Sequence, residues 1–263
     1  MEKWKNFEVS CADYLNKNFG TYARFALQGG SDSTVSDILV ETKSGKTFYI
    51  DAKHSPAQCG QFVLLPDTSS RAFEYSDQNA NRINTHSTKI MEYMNKEFDE
   101  FRKAGTKGKI IEMKNGSHIF SEWIIQTYKD KGTKLFITNN YTILPIEQFS
   151  EYFKVTAKYR IKRSGSANVG KSKLTQILNH INTLAYIITS SRAYNDKLFV
   201  QSNQNLHGKR FTYMQSEYMF SQRHSEYEIR KLSDTRNSNV IFSIKLIAAK
   251  SGLSDADFIN LLQ

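Results

Sequence analysis

The chain has 263 residues, of which 39% are hydrophobic and 13% are aromatic. This composition can fill a large core, so it excludes an intrinsically disordered chain and a small disulfide-stapled fold. Lysine and arginine number 36 against 26 aspartates and glutamates, and the net charge of +10 favours polyanionic partners. Cys11 and Cys59 provide neither a disulfide framework nor a zinc ligand set, and no apolar run reaches the length of a membrane span. We therefore expect a soluble cytoplasmic protein without a membrane partner.

The first predicted helix carries an apolar stripe that includes one carboxylate. Hydrophobic side chains recur at helical spacing at Trp4, Phe7, Cys11, Leu15 and Phe19. Glu8 falls within this stripe, where an ionised side chain is costly unless it is paired or bound to a metal ion. The spacing leaves two interpretations open: Glu8 is a core-edge residue paired with Lys5 or Lys53, or it belongs to a functional site.

The next two elements are predicted to form a β-hairpin. Two runs rich in β-branched and aromatic residues, 36–41 and 47–53, flank a short loop that ends in glycine. Pairing across that loop places Asp37 opposite Asp51, with their Cβ atoms about 5 Å apart. Lys53 lies two residues beyond Asp51, so strand alternation returns it to the same face. Local geometry alone therefore brings two carboxylates and an amine together.

Two carboxylates beside an amine suit metal-dependent hydrolysis of a phosphodiester. Hard cations such as Mg²⁺ prefer oxygen ligands, and a bound metal polarises a phosphate and acidifies a water molecule. Lys53 could orient that water and stabilise developing negative charge. The plain alternative is a surface hairpin with a solvated charge pair. The apolar run before Asp51 predicts a buried strand, which favours the functional interpretation.

These residues resemble a known family of nucleases. Asp37, a hairpin and Asp51-Ala52-Lys53 are similar to the PD-(D/E)xK superfamily, with Ser36 in place of its usual proline. Longer stretches resemble the HhaI-type family of type II restriction endonucleases, namely residues 31–39, 58–64, 159–166 and 239–244. The likeness extends over most of the chain, and it is weaker between residues 179 and 233.

The resemblance implies an α/β fold, with a mixed β-sheet flanked by helices and a C-terminal β-rich DNA-recognition lobe. It implies Mg²⁺-dependent cleavage of double-stranded DNA at a short palindrome, GCGC. The cognate DNA methyltransferase would be a partner in the restriction–modification system, though not a binding partner. Asp37, Asp51 and the Ala52 carbonyl would hold the metal, and Lys53 would position the water. Glu8 matches a glutamate that the first helix of such nucleases presents to the metal site.

A predicted helix after the hairpin supplies candidate DNA contacts. Ser55 is a suitable N-cap, and Pro56 suits the first helical position. Gln58 and Gln61 would then lie one turn apart and could reach the cleaved phosphate or the minor groove. Strand alternation points His54 away from the catalytic face.

Further elements follow in chain order and indicate where the chain divides. Helical patterns cover residues 86–104, 117–131, 145–153 and 254–263, strands are predicted at 134–138 and 141–144, and short strands dominate 184–246. We predict a nuclease core over residues 1–150 and a basic DNA-recognition region over 151–263, packed together as one globular unit.

The recognition region begins with a block of one charge sign. Residues 152–195 contain eight lysines and arginines and no Asp or Glu, so they create a field that attracts polyanions. The cations at alternate positions of residues 158–162 and the polar residues of the turn at 164–166 can contact guanine edges or phosphates. The predicted DNA-binding residues here are Arg160, Lys162, Arg163, Ser164, Ser166, Lys171 and Lys173. The alternative is a solvated basic face without a partner.

One motif in this block suggests a different function. Residues 165–172 match the Walker A pattern of P-loop proteins. The preceding strand is charged, however, whereas P-loop strands are apolar and buried. In addition, no later apolar run ends in an aspartate that could serve as the Walker B residue. We therefore predict no nucleotide cofactor. The alternatives that remain are a repair or junction-resolving nuclease, a non-catalytic DNA-binding protein and a P-loop protein.

Overall fold

The computed structural model describes residues 3–28, 35–247 and 251–263. Within those residues the helices are α1 (Lys3–Phe19), α2 (Thr85–Lys96), α3 (Phe98–Phe101), α4 (Gly116–Asp130), α5 (Phe149–Tyr152), α6 (Leu174–Thr183) and α7 (Asp255–Leu262). The strands are β1 (Ala23–Leu27), β2 (Ile38–Thr42), β3 (Thr47–Lys53), β4 (Ala57–Asp67), β5 (Ala72–Tyr75), β6 (Lys109–Ile110), β7 (Thr133–Thr138), β8 (Thr142–Pro145), β9 (Phe153–Arg163), β10 (Ser166–Ala167), β11 (Ser190–Tyr194), β12 (Lys197–Gln201), β13 (Arg210–Tyr213), β14 (Ser216–Arg223), β15 (Glu226–Leu232) and β16 (Arg236–Leu246). The predicted α/β class is confirmed. No helix in these ranges is long and apolar enough to cross a membrane.

The chain forms two compact units that differ from the predicted ranges. One unit comprises residues 1–160 with 238–263, and the other comprises residues 161–237. The last part of the chain returns to the first unit because β16 pairs with β4 and α7 packs into the core beneath β1. The division predicted at residue 150 therefore falls about ten residues early, and the β-rich unit is not C-terminal.

The first unit contains two five-stranded sheets. One has the strand order β1-β2-β3-β7-β8 and is mixed, because β3 and β7 are parallel while its other pairs are antiparallel. Helices α1 and α7 bury their apolar faces against it, including Leu15 and Phe258. The other sheet has the order β5-β4-β16-β9-β6. Helix α4 contacts both sheets: Trp123 stacks on Phe242 of β16, and Tyr128 meets Phe136 of β7.

The second unit is built on an antiparallel sheet with the order β11-β12-β15-β14-β13, to which β10 adds by pairing with β15. Helix α6 buries Ile177 and Ile181 in the core of this unit. Its aromatic interior includes Phe211 stacked on Tyr218, with ring centroids 5.4 Å apart. The short strands predicted between residues 184 and 246 are therefore present.

The hairpin and most helices form where the sequence predicts them. Thr42 N–H donates to Lys46 O at 2.9 Å, Ile38 pairs with Ile50, and Gly45 adopts a positive φ of 84° at the end of the loop. Helix α4 lies within a residue of its predicted range. The helix predicted over 86–104 is interrupted, since α2 ends at Lys96 and a separate α3 follows. Residues 31–34, part of one stretch that carries the family resemblance, lie outside the described residues.

The helix predicted from Ser55 is wrong. The Ser55–Pro56 peptide bond is cis, and the residues that follow form strand β4. Buried Cys59 and Phe62 have a helix-like spacing because a β-bulge interrupts the alternation of the strand. Trp4 also departs from expectation: it is 45% exposed, although the apolar stripe predicts that it is buried.

Candidate active site

The β2–β3 hairpin positions two carboxylates at one place. Asp51 lies within β3 and is only 2% exposed, while Asp37 directly precedes β2. Asp37 Oδ2 accepts a hydrogen bond from Ala52 N–H at 2.9 Å, which fixes the Asp37 side chain against the neighbouring strand. Strand pairing and this hydrogen bond hold both carboxylates in place.

Lys53 joins the two carboxylates into one cluster. Its ammonium forms an ion pair with Asp51 Oδ1 and lies 3.6 Å from Asp37 Oδ2. The Ala52 carbonyl oxygen is 3.5 Å from the same Nζ atom. Three oxygen atoms, one from Asp37 and two from the consecutive residues Asp51 and Ala52, therefore converge on one positive charge. The structure brings together all four residues predicted for the centre of the site.

The charged groups of this cluster shift one another's pKa values. Burial and the nearby Asp37 charge raise the pKa of Asp51, while Lys53 and Lys131 oppose that rise. Burial lowers the pKa of Lys53, but the Asp51 and Asp37 carboxylates outweigh burial and hold that pKa well above its ordinary value. Lys53 is therefore a cation, and it compensates the negative charge that Asp51 carries into the interior.

Glu8 lies close enough to this cluster for the charges of Asp37 and Lys53 to shift its pKa. Burial and the Asp37 carboxylate raise the pKa of Glu8 to about 7, and Lys53 and Lys5 partly oppose the rise. Helix α1 packs on β3, which places its half-buried Glu8 beside the cluster. The role of Glu8 in the reaction stays a prediction.

We predict that Glu8→Gln changes how the stability of the metal-free protein depends on pH. The folded-state pKa of Glu8 is raised from 4.5 to about 7, so the native protein retains a proton that the unfolded chain releases in this range. Native stability therefore falls as pH rises from about 4.5 to 7, and the variant lacks this loss. In EDTA, the melting temperature of Glu8→Gln minus that of the wild type should increase over this interval. A constant difference from pH 4 to 8 would contradict the electrostatic placement of Glu8.

A cavity of about 1050 Å³ opens beside the carboxylates in the first unit. Its charged wall includes Asp37, Asp51, Lys53 and Lys131. Another part of its lining consists of carboxamides, from Gln58, Gln61, Gln78, Asn79 and Asn81. Local patterns in the sequence did not identify Lys131, Gln78, Asn79 or Asn81, because tertiary packing brings them to the cavity from separate elements. The cavity offers charged groups for a phosphate and amide groups for hydrogen bonding.

A β-bulge in β4 places Gln58 and Gln61 side by side. Cys59 and Gly60 together stand opposite Phe242, so the strand gains one residue at this point. Gln58 Nε2 donates to Gln61 Oε1 at 3.3 Å. Gly60 has a φ of 98°, and a Cβ atom there would lie 2.8 Å from the Trp123 ring, so only glycine fits. Both glutamines therefore reach the cavity from a bulged strand and not from the predicted helix.

The donor set can accommodate a hard divalent cation. Within residues 3–28, 35–247 and 251–263, no three His, Cys, Asp or Glu side chains cluster as metal ligands. Mg²⁺ commonly needs only one or two carboxylates, because waters and substrate phosphate oxygens complete its shell. Asp37, Asp51 and the Ala52 carbonyl provide such a set, and they already converge on the cationic Lys53.

The predicted DNA-binding residues of the basic block differ in their environments. Lys162 and Lys171 are exposed, whereas Arg163 is half-buried and forms an ion pair with Glu217. The Ser164 hydroxyl hydrogen-bonds Ser233 Oγ at 2.9 Å. Ser166 Oγ accepts a hydrogen bond from Arg230 Nε at 3.1 Å. Lys173 and Arg160 are both half-buried, and Arg160 belongs to the first unit.

The Walker A segment has a geometry unlike that of a P-loop. Ser166 and Ala167 pair with β15 in an antiparallel sheet, whereas a P-loop follows a strand of a buried parallel sheet. Lys171 lies in a short 3₁₀ turn before α6, and not in the first turn of the helix. These contacts disfavour the nucleotide-binding interpretation.

The fold of this chain is similar to that of a solved structure. The structure of HhaI endonuclease in complex with DNA matches this chain with a TM-score of 0.71 and 39% sequence identity. The match covers 99% of this chain and 96% of that chain. No family model and no curated protein matches. The fold is thus that of a restriction endonuclease. Within that class, this chain belongs to the family of the HhaI endonuclease.

Proposed function

We propose that this protein is a Mg²⁺-dependent type II restriction endonuclease that hydrolyses phosphodiester bonds of double-stranded DNA. The observation that carries the proposal is the convergence of Asp37 Oδ2, Asp51 Oδ1 and Ala52 O on the Lys53 ammonium beside the cavity. The kinship with an endonuclease solved in complex with DNA supports the same conclusion.

Each group in the cluster has a distinct role in this reaction. Asp37, Asp51 and the Ala52 carbonyl would hold Mg²⁺, which polarises the phosphate and lowers the pKa of a water molecule. Lys53 orients the attacking water and stabilises the negative charge that develops on the phosphate oxygens. The Ala52 N–H holds the Asp37 carboxylate in a fixed orientation, so little reorganisation accompanies the reaction.

The positive charge of the protein supports binding to DNA. The net charge is +10, and the acid-free stretch from residue 152 to 195 concentrates cations in one part of the sequence. Lysine and arginine contacts to phosphates give affinity that depends on salt and not on base sequence. We assign such contacts to Lys171 and Lys173, and base reading to Arg160 or Lys162.

We predict that alanine substitutions separate these two roles. Loss of a guanine contact at Arg160 or Lys162 should cost about 1–3 kcal/mol and relax discrimination at one base pair. Loss of a phosphate contact at Lys171 should weaken binding to all sequences alike and lower the salt slope by about 0.9. Affinities for cognate and single-mismatch duplexes across salt concentrations check both outcomes. If all of these variants keep the wild-type affinity and slope, the DNA surface lies elsewhere.

We also propose the cleavage site and the setting of the reaction. The family relationship and the resemblance in sequence support recognition of GCGC within a cytoplasmic restriction–modification system.

Incubating the protein with plasmid DNA and Mg²⁺, then sequencing the fragment ends, tests this assignment. We expect every end to map within GCGC, and prior methylation of that sequence should block cleavage. Ends that share no sequence, or that map to branched DNA, would instead favour a repair or junction-resolving nuclease. Binding without cleavage would favour a non-catalytic DNA-binding protein.

A further inference from the structure

We propose that Lys131 binds a phosphate of the DNA inside the catalytic cavity and is a substrate contact in addition to Lys53. This inference rests on the proposed function of the site, and it assigns a role to a residue outside the hairpin. Lys131 lines the same cavity as Asp37, Asp51 and Lys53, although it lies far from them in the sequence.

The backbone of Lys131 is fixed between a helix and a sheet. Its N–H donates to Tyr128 O at 3.1 Å, and the Gly132 N–H donates to Lys129 O at 2.9 Å, which terminates α4. Gly132 has a φ of 81°, and its carbonyl accepts from Tyr49 N–H at 3.1 Å. This junction leads directly into β7, the parallel neighbour of the strand that carries Asp51.

The Lys131 side chain shares an aromatic platform with Lys53. The Nζ atom of Lys131 lies 5.0 Å from the centroid of the Tyr128 ring, and that of Lys53 lies 5.6 Å from the same centroid. Tyr128 is itself buried, with its hydroxyl near Cys59. One rigid ring therefore holds two ammonium groups beside the cavity, and each cation–π contact is stronger where water is excluded.

The charges of the cavity suit a phosphate beside Lys131. Lys131 is half-buried, and burial lowers its pKa while the Asp51 carboxylate partly opposes that change. A partly desolvated ammonium interacts more strongly with an anion than a fully hydrated one does. Lys129, in the last turn of α4, is paired with Glu147 at 2.9 Å and does not line the cavity. Of these two lysines, therefore, Lys131 lines the cavity and Lys129 does not.

The plain alternative is that Lys131 only offsets the buried charge of Asp51. The salt dependence of DNA binding distinguishes the two roles, because only a phosphate contact contributes to counterion release. We expect Lys131→Gln to reduce the slope of log K against log salt by about 0.9, for cognate and unrelated duplexes alike. Lys129→Gln, the matched control, should leave the slope unchanged. These affinities would be measured with Ca²⁺ in place of Mg²⁺ to limit cleavage.

Duplexes with single methylphosphonate substitutions would locate the contact. Replacing one phosphate near the cleaved bond by a neutral methylphosphonate should weaken binding by the wild type and by Lys129→Gln. The DNA affinity of Lys131→Gln should not change when that one phosphate is replaced, since the variant has already lost the contact. Lys131→Arg should retain the wild-type pattern because it keeps a cation that bonds phosphates.

Two results would overturn the inference. One is an unchanged salt slope in Lys131→Gln, whether or not its melting temperature changes, and the other is a methylphosphonate profile identical to that of the wild type. Either result leaves the proposed function intact, provided the wild type binds and cleaves DNA. If the wild type binds no duplex in the presence of Ca²⁺ or Mg²⁺, the proposed function itself fails, together with this inference.

Discussion

Asp51→Asn should reduce the single-turnover rate of DNA cleavage by about 10³-fold or more, equivalent to roughly 4 kcal/mol of transition-state stabilisation. Asp51 is buried, and its carboxylate converges with the oxygens of Asp37 and Ala52 on the Lys53 ammonium, so it is difficult to replace. An asparagine preserves the shape of the side chain and removes the negative charge that a metal ion requires. Rates should be measured with excess protein on a duplex that contains the cleavage site.

Glu41→Gln provides the matched control for this change. Glu41 lies on the same hairpin, but it pairs with Arg24 at 3.1 Å and does not line the cavity. Its substitution should leave the rate within a factor of about two, because exposed ion pairs contribute little. Cleavage at the wild-type rate by a folded Asp51→Asn protein would show that the chemistry occurs elsewhere.

Lys53→Gln should reduce the cleavage rate by about 10²–10³-fold, the usual effect of removing one donor from a developing oxyanion. DNA affinity should change much less, because Lys53 is mostly buried in contact with Asp51 and Asp37. The metal-free variant should also lose about 3–5 kcal/mol of stability, since Asp51 would be left buried without its cation. Ca²⁺ should restore part of that loss by binding the native state.

Lys46→Gln is the control for Lys53, since it removes a lysine from the exposed turn of the same hairpin. Cleavage rate, DNA affinity and unfolding free energy should all remain close to those of the wild type. The assignment of Lys53 is contradicted if Lys53→Gln cleaves as fast as the control. A loss confined to affinity, with the single-turnover rate preserved, would make Lys53 a binding residue only.

The hairpin of β2 and β3 could be predicted from the sequence because its geometry is local. A glycine-ended loop fixes the register, and the register determines which residues of two adjacent strands share a face. Asp37, Asp51 and Lys53 therefore follow from turn length and strand alternation. The helical period of α1 placed Glu8 on the apolar stripe, and only the family resemblance assigned it to the site.

Other parts of the site depend on contacts that local patterns do not encode. Gln58 and Gln61 were assigned to a helix because Ser55 and Pro56 suit a helix N-terminus, whereas the residues that follow form β4, whose bulge at Cys59 and Gly60 brings the two glutamines together. Lys131 reaches the cavity through the parallel pairing of β3 with β7, whose partners are more than eighty residues apart. The return of β16 to the first unit likewise depends on pairing with the distant β4.

The dependence of cleavage on a divalent cation tests the central claim most directly. The protein would be stripped of metal with a chelator and mixed in excess with a duplex that contains GCGC, and single-turnover cleavage would be followed as Mg²⁺ is added. We predict no cleavage without Mg²⁺ and a rate that rises to saturation as the cation binds at Asp37 and Asp51. Cleavage at an unchanged rate after complete removal of metal would contradict the account.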